Sequence, residues 1–533
     1  MSAAIEWELD SQARWSDWTN VIDGSLLVGV TYDGTQYLAT VDGATGLRRW
    51  EDRGIDADDE LDAAASVVLG SRLLAIPMYI TKVGGSPCTD DQTAIGLLEL
   101  EADRWSASSD PWTRCTGTVH VARSNAAGGL TIAIDSGWWE SPTPAIEAFA
   151  GAVGQKNTPY ATDLDGDGGL DLLTSEGIRY STGAEVLWPF SHSLTQVGIA
   201  ANPEPVVVLA TGYALVLTDA AGAVLWSLPF DGADGTSMLA NLPAIGDATG
   251  DGTPEICAAF MTPTGYEARL IGLDGGVVSV WDSAVGPASC SMADLDADGA
   301  YEVIWFDTLG LRIVDGRDGS VFWSDPSIQP AGVLTAVQVA DVDLDGSAEL
   351  VLTGLEREGG ASVLRVYGAA RGRWARTRPV WNQRAYDVVS VNDDGTVPAF
   401  PFNAWEAYNA WRAQPAQDGD HPDLSVVATD ICAEDCTDGP VQLAVQVANA
   451  GSHDAESGAV VRLWTRTGDA WRSVASVVVP DPIPAHTAAA GVALTVSLAD
   501  WGEAQVLQVD GADTDECDRA NDRTEVTLAV CEE

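Results

Sequence analysis

The nine residues Asp163-Leu164-Asp165-Gly166-Asp167-Gly168-Gly169-Leu170-Asp171 place acids at positions 1, 3, 5 and 9, with a glycine at position 6 where the chain must turn sharply. Hard oxygen donors at alternating positions of a tight loop suit a calcium ion, which takes six to eight oxygens at about 2.4 Å. The frame recurs as Asp294, Asp296, Asp298, Gly299, Glu302 and as Asp341, Asp343, Asp345, Gly346, Glu349. It also reads Asp247, Thr249, Asp251, Gly252, Glu255, where a threonine stands in for one carboxylate and should weaken the site. About four structural calcium sites are expected. An EF-hand is excluded, because it needs a glutamate at position 12 and flanking helices. Position 12 is Thr174, Ala258, Trp305 or Leu352, and each loop leads into a short apolar strand.

The loops are punctuation in a longer repeat. Those beginning at Asp247, Asp294 and Asp341 are 47 residues apart, while the gap from Asp163 to Asp247 is 84, nearly two units. A degenerate unit fits between, at Asn202-Pro203-Glu204 before Val206-Val207-Val208-Leu209, with the strand kept and the loop acids lost. Glycine-containing turns lead into tryptophan in step: Asp42 to Gly46 before Trp50, Asp219 and Gly222 before Trp226, Asp274 to Gly276 before Trp281, Asp315 and Gly319 before Trp323. Trp105 and Trp188 hold comparable places. Short strands in units of roughly 40–50 residues have the period of a propeller blade, and no helical periodicity competes. The expected fold is all-β: a seven-bladed β-propeller over residues 1–370, or eight-bladed if Gly137-Trp138-Trp139 closes a blade of its own. The tryptophans follow the strand pattern and are expected in the core between blades.

At residues 160–355 the chain resembles the FG-GAP or VCBS repeats of integrin α-subunit propellers and of bacterial secreted proteins, whose hairpin loops carry Asp-x-Asp-x-Asp-Gly-x-x-Asp. The resemblance implies structural calcium that braces the blades and takes no part in chemistry.

Composition narrows the partners. With 79 acidic against 27 basic residues the net charge is −52, which repels nucleic acid and anionic lipid and favours cations or basic protein surfaces. No apolar run is long enough to span a bilayer, and residues 1–20 hold no signal-peptide core. The eight cysteines contain no Cys-x-x-Cys pair and point to disulfides, with Cys88–Cys115 and Cys257–Cys290 expected as bridges in an extracellular or cell-surface protein. Cys432, Cys436, Cys517 and Cys531 belong to the last domain, with their pairing open.

Residues 371–422 read as connector and linker. Arg371 to Arg378 is the most basic stretch of an acidic chain and leads into Trp381 to Tyr386, as a segment folded against the propeller. Pro415 to Pro422 is polar linker. From Asp423 to residue 533 alternating strands fit an immunoglobulin-like sandwich. That stretch resembles the CARDB adhesion-type module through Asp423-Leu424, Val447 to Gly451, and Val509-Asp510 with Glu516 to Asp518 and Asn521 near the end.

The five histidines are scattered, and no nucleophile, Walker or dinucleotide motif occurs. The expectation is a secreted calcium-binding propeller that binds or scaffolds a protein or glycan ligand, not an enzyme. The alternatives are a lyase-type polysaccharide enzyme on a calcium-bearing propeller and a quinoprotein-like propeller.

Overall fold

A computed structural model describes residues 3–9, 14–22, 24–32, 35–52, 59–61, 67–68, 73–80, 92–99, 104–108, 119–124, 130–134, 137–141, 149–152, 157–158, 160–166, 170–174, 177–189, 195–201, 204–211, 213–229, 241–262, 265–284, 288–332, 335–370, 374–383, 385–393, 403–417, 422, 424–433, 439–449, 455–467, 470–484, 487–502, 504–511 and 522–526. The chain divides into two compact units, the first holding Met1–Asn125, Gly129–Leu164 and Asp171–Ala416, the second built on Gln417–Glu533. Among the described residues the structure is all-β apart from a helical turn at Ala404–Ala407 and a 3-10 turn at Leu498–Asp500.

The first unit is a propeller of antiparallel meanders. Among the described residues it holds eight sheets, whose main strands follow one another in the chain. The first runs Arg14–Ile22, Ser25–Tyr32, Thr35–Asp42, Arg48–Asp52. The fourth, fifth, sixth and seventh begin with Tyr160–Thr162, Thr195–Ala201, Ala244–Gly246 and Ala288–Ala293. Gly137–Ser141 is the third strand of a four-stranded sheet of its own, one of the eight among the described residues. The degenerate unit is the fifth sheet, where Ala201 pairs with Pro205 across a minimal turn that leaves no room for a nine-residue loop. The eighth sheet is completed by the first strand of the chain: Ala3–Leu9 pairs antiparallel with Ser362–Ala369, the last strand of that meander.

Burial explains the strand text. Continuous apolar runs such as Pro205–Ala210 are buried along nearly their whole length, whereas the outermost strands, such as Val277–Ser283, alternate towards solvent. Trp226, Trp281 and Trp323 each dock on the next sheet in the chain. The Trp226 indole donates to the Leu273 carbonyl at 2.8 Å, Trp281 meets Trp305 edge-on at 5.6 Å, and Trp323 meets Tyr367 at 5.5 Å. The turn glycines make space for this contact. Gly275 has φ +83°, and a Cβ there would lie 3.3 Å from the Trp226 ring. Cys257 and Cys290 form a disulfide between the second strand of the sixth sheet and the first strand of the seventh. Cys88, Cys115, Cys436, Cys517 and Cys531 lie outside the described residues.

The described residues of 374–416, read from sequence as a connector folded against the propeller, pack into its core. They run along the innermost strands of six of the eight sheets. Val380–Trp381 pairs with Arg14–Ile22, Arg378 O accepts from Asp341 N, and Ala413–Gln414 pairs in parallel with Ala288–Ala293. Trp411 bridges to Ile245, the Asn409 amide brackets Ala201 N and O at 2.8 Å, and Asn403 bonds Thr162 and Asp163. An innermost strand presents a row of backbone donors and acceptors that must find partners when buried, and this segment supplies them. Its large side chains fill the space: Trp381, Tyr386, Trp411, Arg378 and Arg412 are fully buried, and Trp381 stacks on Tyr386 at 4.3 Å. The Arg378 guanidinium, the last of the basic stretch, is spent on Asp393 and the carbonyls of Val388 and Val391.

The second unit is two four-stranded antiparallel sheets on one core, with Val426, Leu443 and Val445 of one sheet and Val461, Leu463, Leu507 and Val509 of the other in a single apolar cluster.

Trp381→Ala should destabilise the first unit by about 3–5 kcal/mol, the usual cost of emptying a buried aromatic site. A denaturant titration followed by tryptophan fluorescence checks this, and a loss under about 1 kcal/mol is incompatible with the central packing described.

Candidate metal centres

Four hairpins, between the first and second strands of the fourth, sixth, seventh and eighth sheets, each gather three carboxylates. The groups are Asp163, Asp165, Asp171; Asp247, Asp251, Glu255; Asp294, Asp296, Glu302; and Asp341, Asp343, Glu349, with one oxygen of each residue within 4.8 Å of the others. All donors are oxygens, the chemistry of a hard cation site.

The loops share a backbone frame. The amide of position 2 donates to the acid at position 9: Leu164 to Asp171, Ala248 to Glu255, Leu295 to Glu302 and Val342 to Glu349, at 2.8–2.9 Å. The glycine at position 6 donates to the first acid, from Gly252 to Asp247, Gly299 to Asp294 and Gly346 to Asp341. The acid at position 5 caps the amide two residues on, Asp251 to Thr253, Asp298 to Ala300 and Asp345 to Ser347. Position 4 is left-handed in all four loops, as Gly166, Gly250, Ala297 with φ 57° and Leu344 with φ 63°. A non-glycine residue held there costs of order 1 kcal/mol.

Of the sixteen residues singled out in the sequence, twelve fall in the four groups. Asp167 lies outside the described residues. Asp298 and Asp345 stay out of their groups and serve as turn caps; Asp298 also pairs with Arg317 at 3.1 Å. Thr249 is the fourth exception, and its hydroxyl lies 3.4 Å from Asp247 and 3.3 Å from Glu255. Because that threonine occupies position 3, the position 5 acid, Asp251, completes the second group.

The centre of the propeller anchors the loops, which the sequence did not reveal. The Asn403 side chain holds both N and O of Asp163, Gln414 O accepts from Asp294 N, and Arg378 O accepts from Asp341 N. Ala375 bridges two loops, donating to Leu295 O and accepting from Ala348 N.

The electrostatics of these groups are those of crowded acids. Burial, reinforced by the neighbouring acids, pushes Glu255 up to about 7, Glu302 up to about 9, Glu349 up to about 10 and Asp294 up to about 6, against ordinary values near 4. Asp341 is 6 % exposed, and its Oδ1 has no hydrogen-bond partner. A buried carboxylate oxygen is rarely left so, and an ion in the group would satisfy it. The residues therefore fit a metal on their own geometry.

Fold and loops together define the chain as an all-β propeller with four acidic groups able to hold metal ions. No known family profile matches it, and no curated protein matches it. Among solved structures it is similar to the V. cholerae biofilm matrix protein Bap1, at 13% identity and TM-score 0.55, over 77% of this chain and 98% of that one. The rhamnogalacturonan lyase YesW, at 13% identity over 78% and 81% of the two chains, reaches 0.45. The Myceliophteria thermophila Cps50 (Swd1) β-propeller domain, at 12% identity over 69% and 100%, reaches 0.33. The first supports the propeller fold, and the other two superpose too loosely to add to it.

The raised carboxylates fix the sign of the pH response. Groups whose folded values lie above their unfolded ones bind more protons in the native state, so stability without metal falls as pH rises through the interval from about 4.5 towards 10. In chelator, the melting temperature should therefore climb as pH is lowered from about 9 to about 5, and a saturating divalent cation should flatten that slope. Calorimetric scans across pH measure it; a slope of the opposite sign in chelator contradicts the arrangement.

Proposed function

We propose that this chain is an extracellular, calcium-stabilised propeller that binds or scaffolds a protein or glycan ligand, with the ions structural and no reaction of its own. The observation that carries the reading is the fourfold repetition of one loop frame, in which every group offers oxygen donors only and the same backbone contacts hold them apart. Calcium is the cation of choice because it accepts irregular, oxygen-rich coordination, whereas magnesium demands a near-ideal octahedron. The loops follow the FG-GAP or VCBS pattern, and the tail is read as an immunoglobulin-like, CARDB-type module that spaces or adheres.

Three further features support the assignment. The Cys257–Cys290 disulfide fits an oxidising compartment. No helix among the described residues is long and apolar enough to cross a membrane. Described residues of 374–416 pair with the innermost strands of six of the eight sheets, which favours recognition away from the axis. Recognition then falls to the loops and the outer surfaces, and a matrix role of the kind named for the V. cholerae structure is in keeping with this.

Calcium should raise the melting temperature relative to chelator, with each site contributing about 2.7 kcal/mol at a hundredfold excess over its Kd. Asp165→Ala and Asp343→Ala should each remove part of the gain, and the Thr249 loop should fill last in a titration read by native mass spectrometry. Equal melting temperatures in calcium and chelator would falsify the calcium reading; a glycan array and an envelope-protein binding screen, run with and without calcium, test the ligand class.

A further inference from the structure

The eighth sheet holds an acid that no repeat motif contains. In the closing pair, Ala4 is opposite Gly368, Ile5 opposite Tyr367, and Trp7 opposite Val366, so Glu6 is the extra residue of a bulge. On the other side of the same strand Leu350 pairs with Tyr367, and continuing that register by one residue sets Glu349 opposite Gly368. Residues directly opposite in an antiparallel pair point to one face of the sheet. A Cβ on Gly368 would collide with the Glu6 carboxylate, so that carboxylate lies on the face shared with Glu349 and uses the space a side chain at 368 would fill. Three adjacent strands thus bring Glu6 over Gly368 towards the group of Asp341, Asp343 and Glu349.

We infer that Glu6 is a fourth carboxylate of the metal site in loop 341–349, and that the ion bound there fastens the N-terminal strand that closes the propeller. Two observations point to a ligand at this place: the three-acid group itself and the buried, unpartnered Oδ1 of Asp341. The charges agree with the geometry, since Glu6 is held above the ordinary range by partial burial and then by Asp343 and Asp345, and Glu6 in turn raises Glu349. Without a cation the acid is a liability, because it adds one more negative charge to a crowded face. With one, it ties residues 3–9 to residues 341–349 through a single centre. Arg365, opposite Glu8 and paired with it, gives the same strand a second, metal-independent tie. The inference rests on the reading of these loops as calcium sites and goes beyond it by naming a ligand outside the loop and a task for the ion.

Hydrogen–deuterium exchange on the full chain, in calcium and in chelator, separates the two. Calcium should slow exchange of the amides of residues 3–9 by about tenfold or more, together with loop 341–349. Glu6→Gln should abolish the gain at residues 3–9 while loops 247–255 and 294–302 keep theirs, and Gly368→Ala should reproduce the effect by displacing the carboxylate. If loop 341–349 responds to calcium while residues 3–9 do not, or if Glu6→Gln leaves the response of residues 3–9 intact, the assignment of Glu6 is wrong and the calcium reading survives. If none of the loops responds, the calcium reading fails and this one with it.

Discussion

Six of the eight sheets of the first unit share one constraint, the hydrogen bonds that described residues of 374–416 make along their innermost strands. A ring of sheets turns its first strands towards a common centre, where water cannot serve every backbone group. The chain solves this with its own later sequence. Val380–Trp381 and Ala413–Gln414 act as short extra strands, while Asn403 and Asn409 satisfy backbone groups from their side chains where the main chain cannot run parallel. Gln414, fully buried, accepts from the Tyr386 hydroxyl at 2.8 Å and donates towards the Val339 carbonyl at 3.1 Å. A network this buried stabilises only as far as its members are satisfied, and the Thr377 hydroxyl and the indole N–H groups of Trp381 and Trp411 are buried there without a hydrogen-bond partner.

The same contacts reach the acidic loops. Asp163, Asp294 and Asp341, the first acids of three loops, each have their backbone held by the central segment. Two ionised carboxylates within 4.8 Å oppose each other by about 3 kcal/mol at an effective dielectric near 20. Such a loop does not stay closed through its own interactions alone. The amide from position 2, the glycine amide from position 6 and the anchored first residue together hold the acids in place, and Ala297 and Leu344 accept a left-handed backbone to let the loop close. Strain and repulsion concentrated at one spot are what a bound cation relieves. In loop 341–349 burial, followed by the neighbouring acids, raises Glu349 the most of the loop glutamates, and the buried Oδ1 of Asp341 has no hydrogen-bond partner.

Cross-linking between sheets is distributed in kind. Trp226, Trp281 and Trp323 each grip the following sheet, the Cys257–Cys290 disulfide joins the sixth to the seventh, and the N-terminal strand completes the eighth. Packing and covalent bonding thus act together at the joint of the sixth and seventh sheets, while strand pairing completes the eighth. The Asp307–Arg312 pair, buried with the Trp305 indole and Ser283 around it, stiffens the joint between the sixth and seventh sheets in the same way.

Local text was enough for whatever depends on residues close together in the chain. Alternation and apolar runs determined the strands, the Asp-x-Asp-x-Asp-Gly frame determined the acidic hairpins, and the spacing of 47 residues determined the repeat. Each of these is set by interactions within one meander, so its signature lies within a few dozen residues. The number of sheets depended on whether Gly137–Ser141 pairs with neighbours on both sides, which only the assembled strands decide. Trp381, Tyr386 and Arg378 read as a connector because nothing in their own sequence names the strands they fill, some of them more than 300 residues earlier, as Val21 is for Trp381. Glu6 is the extreme case. It stands in no motif, and it meets Glu349 only because the propeller closes by pairing its first strand with its last, a long-range contact that tertiary structure alone creates.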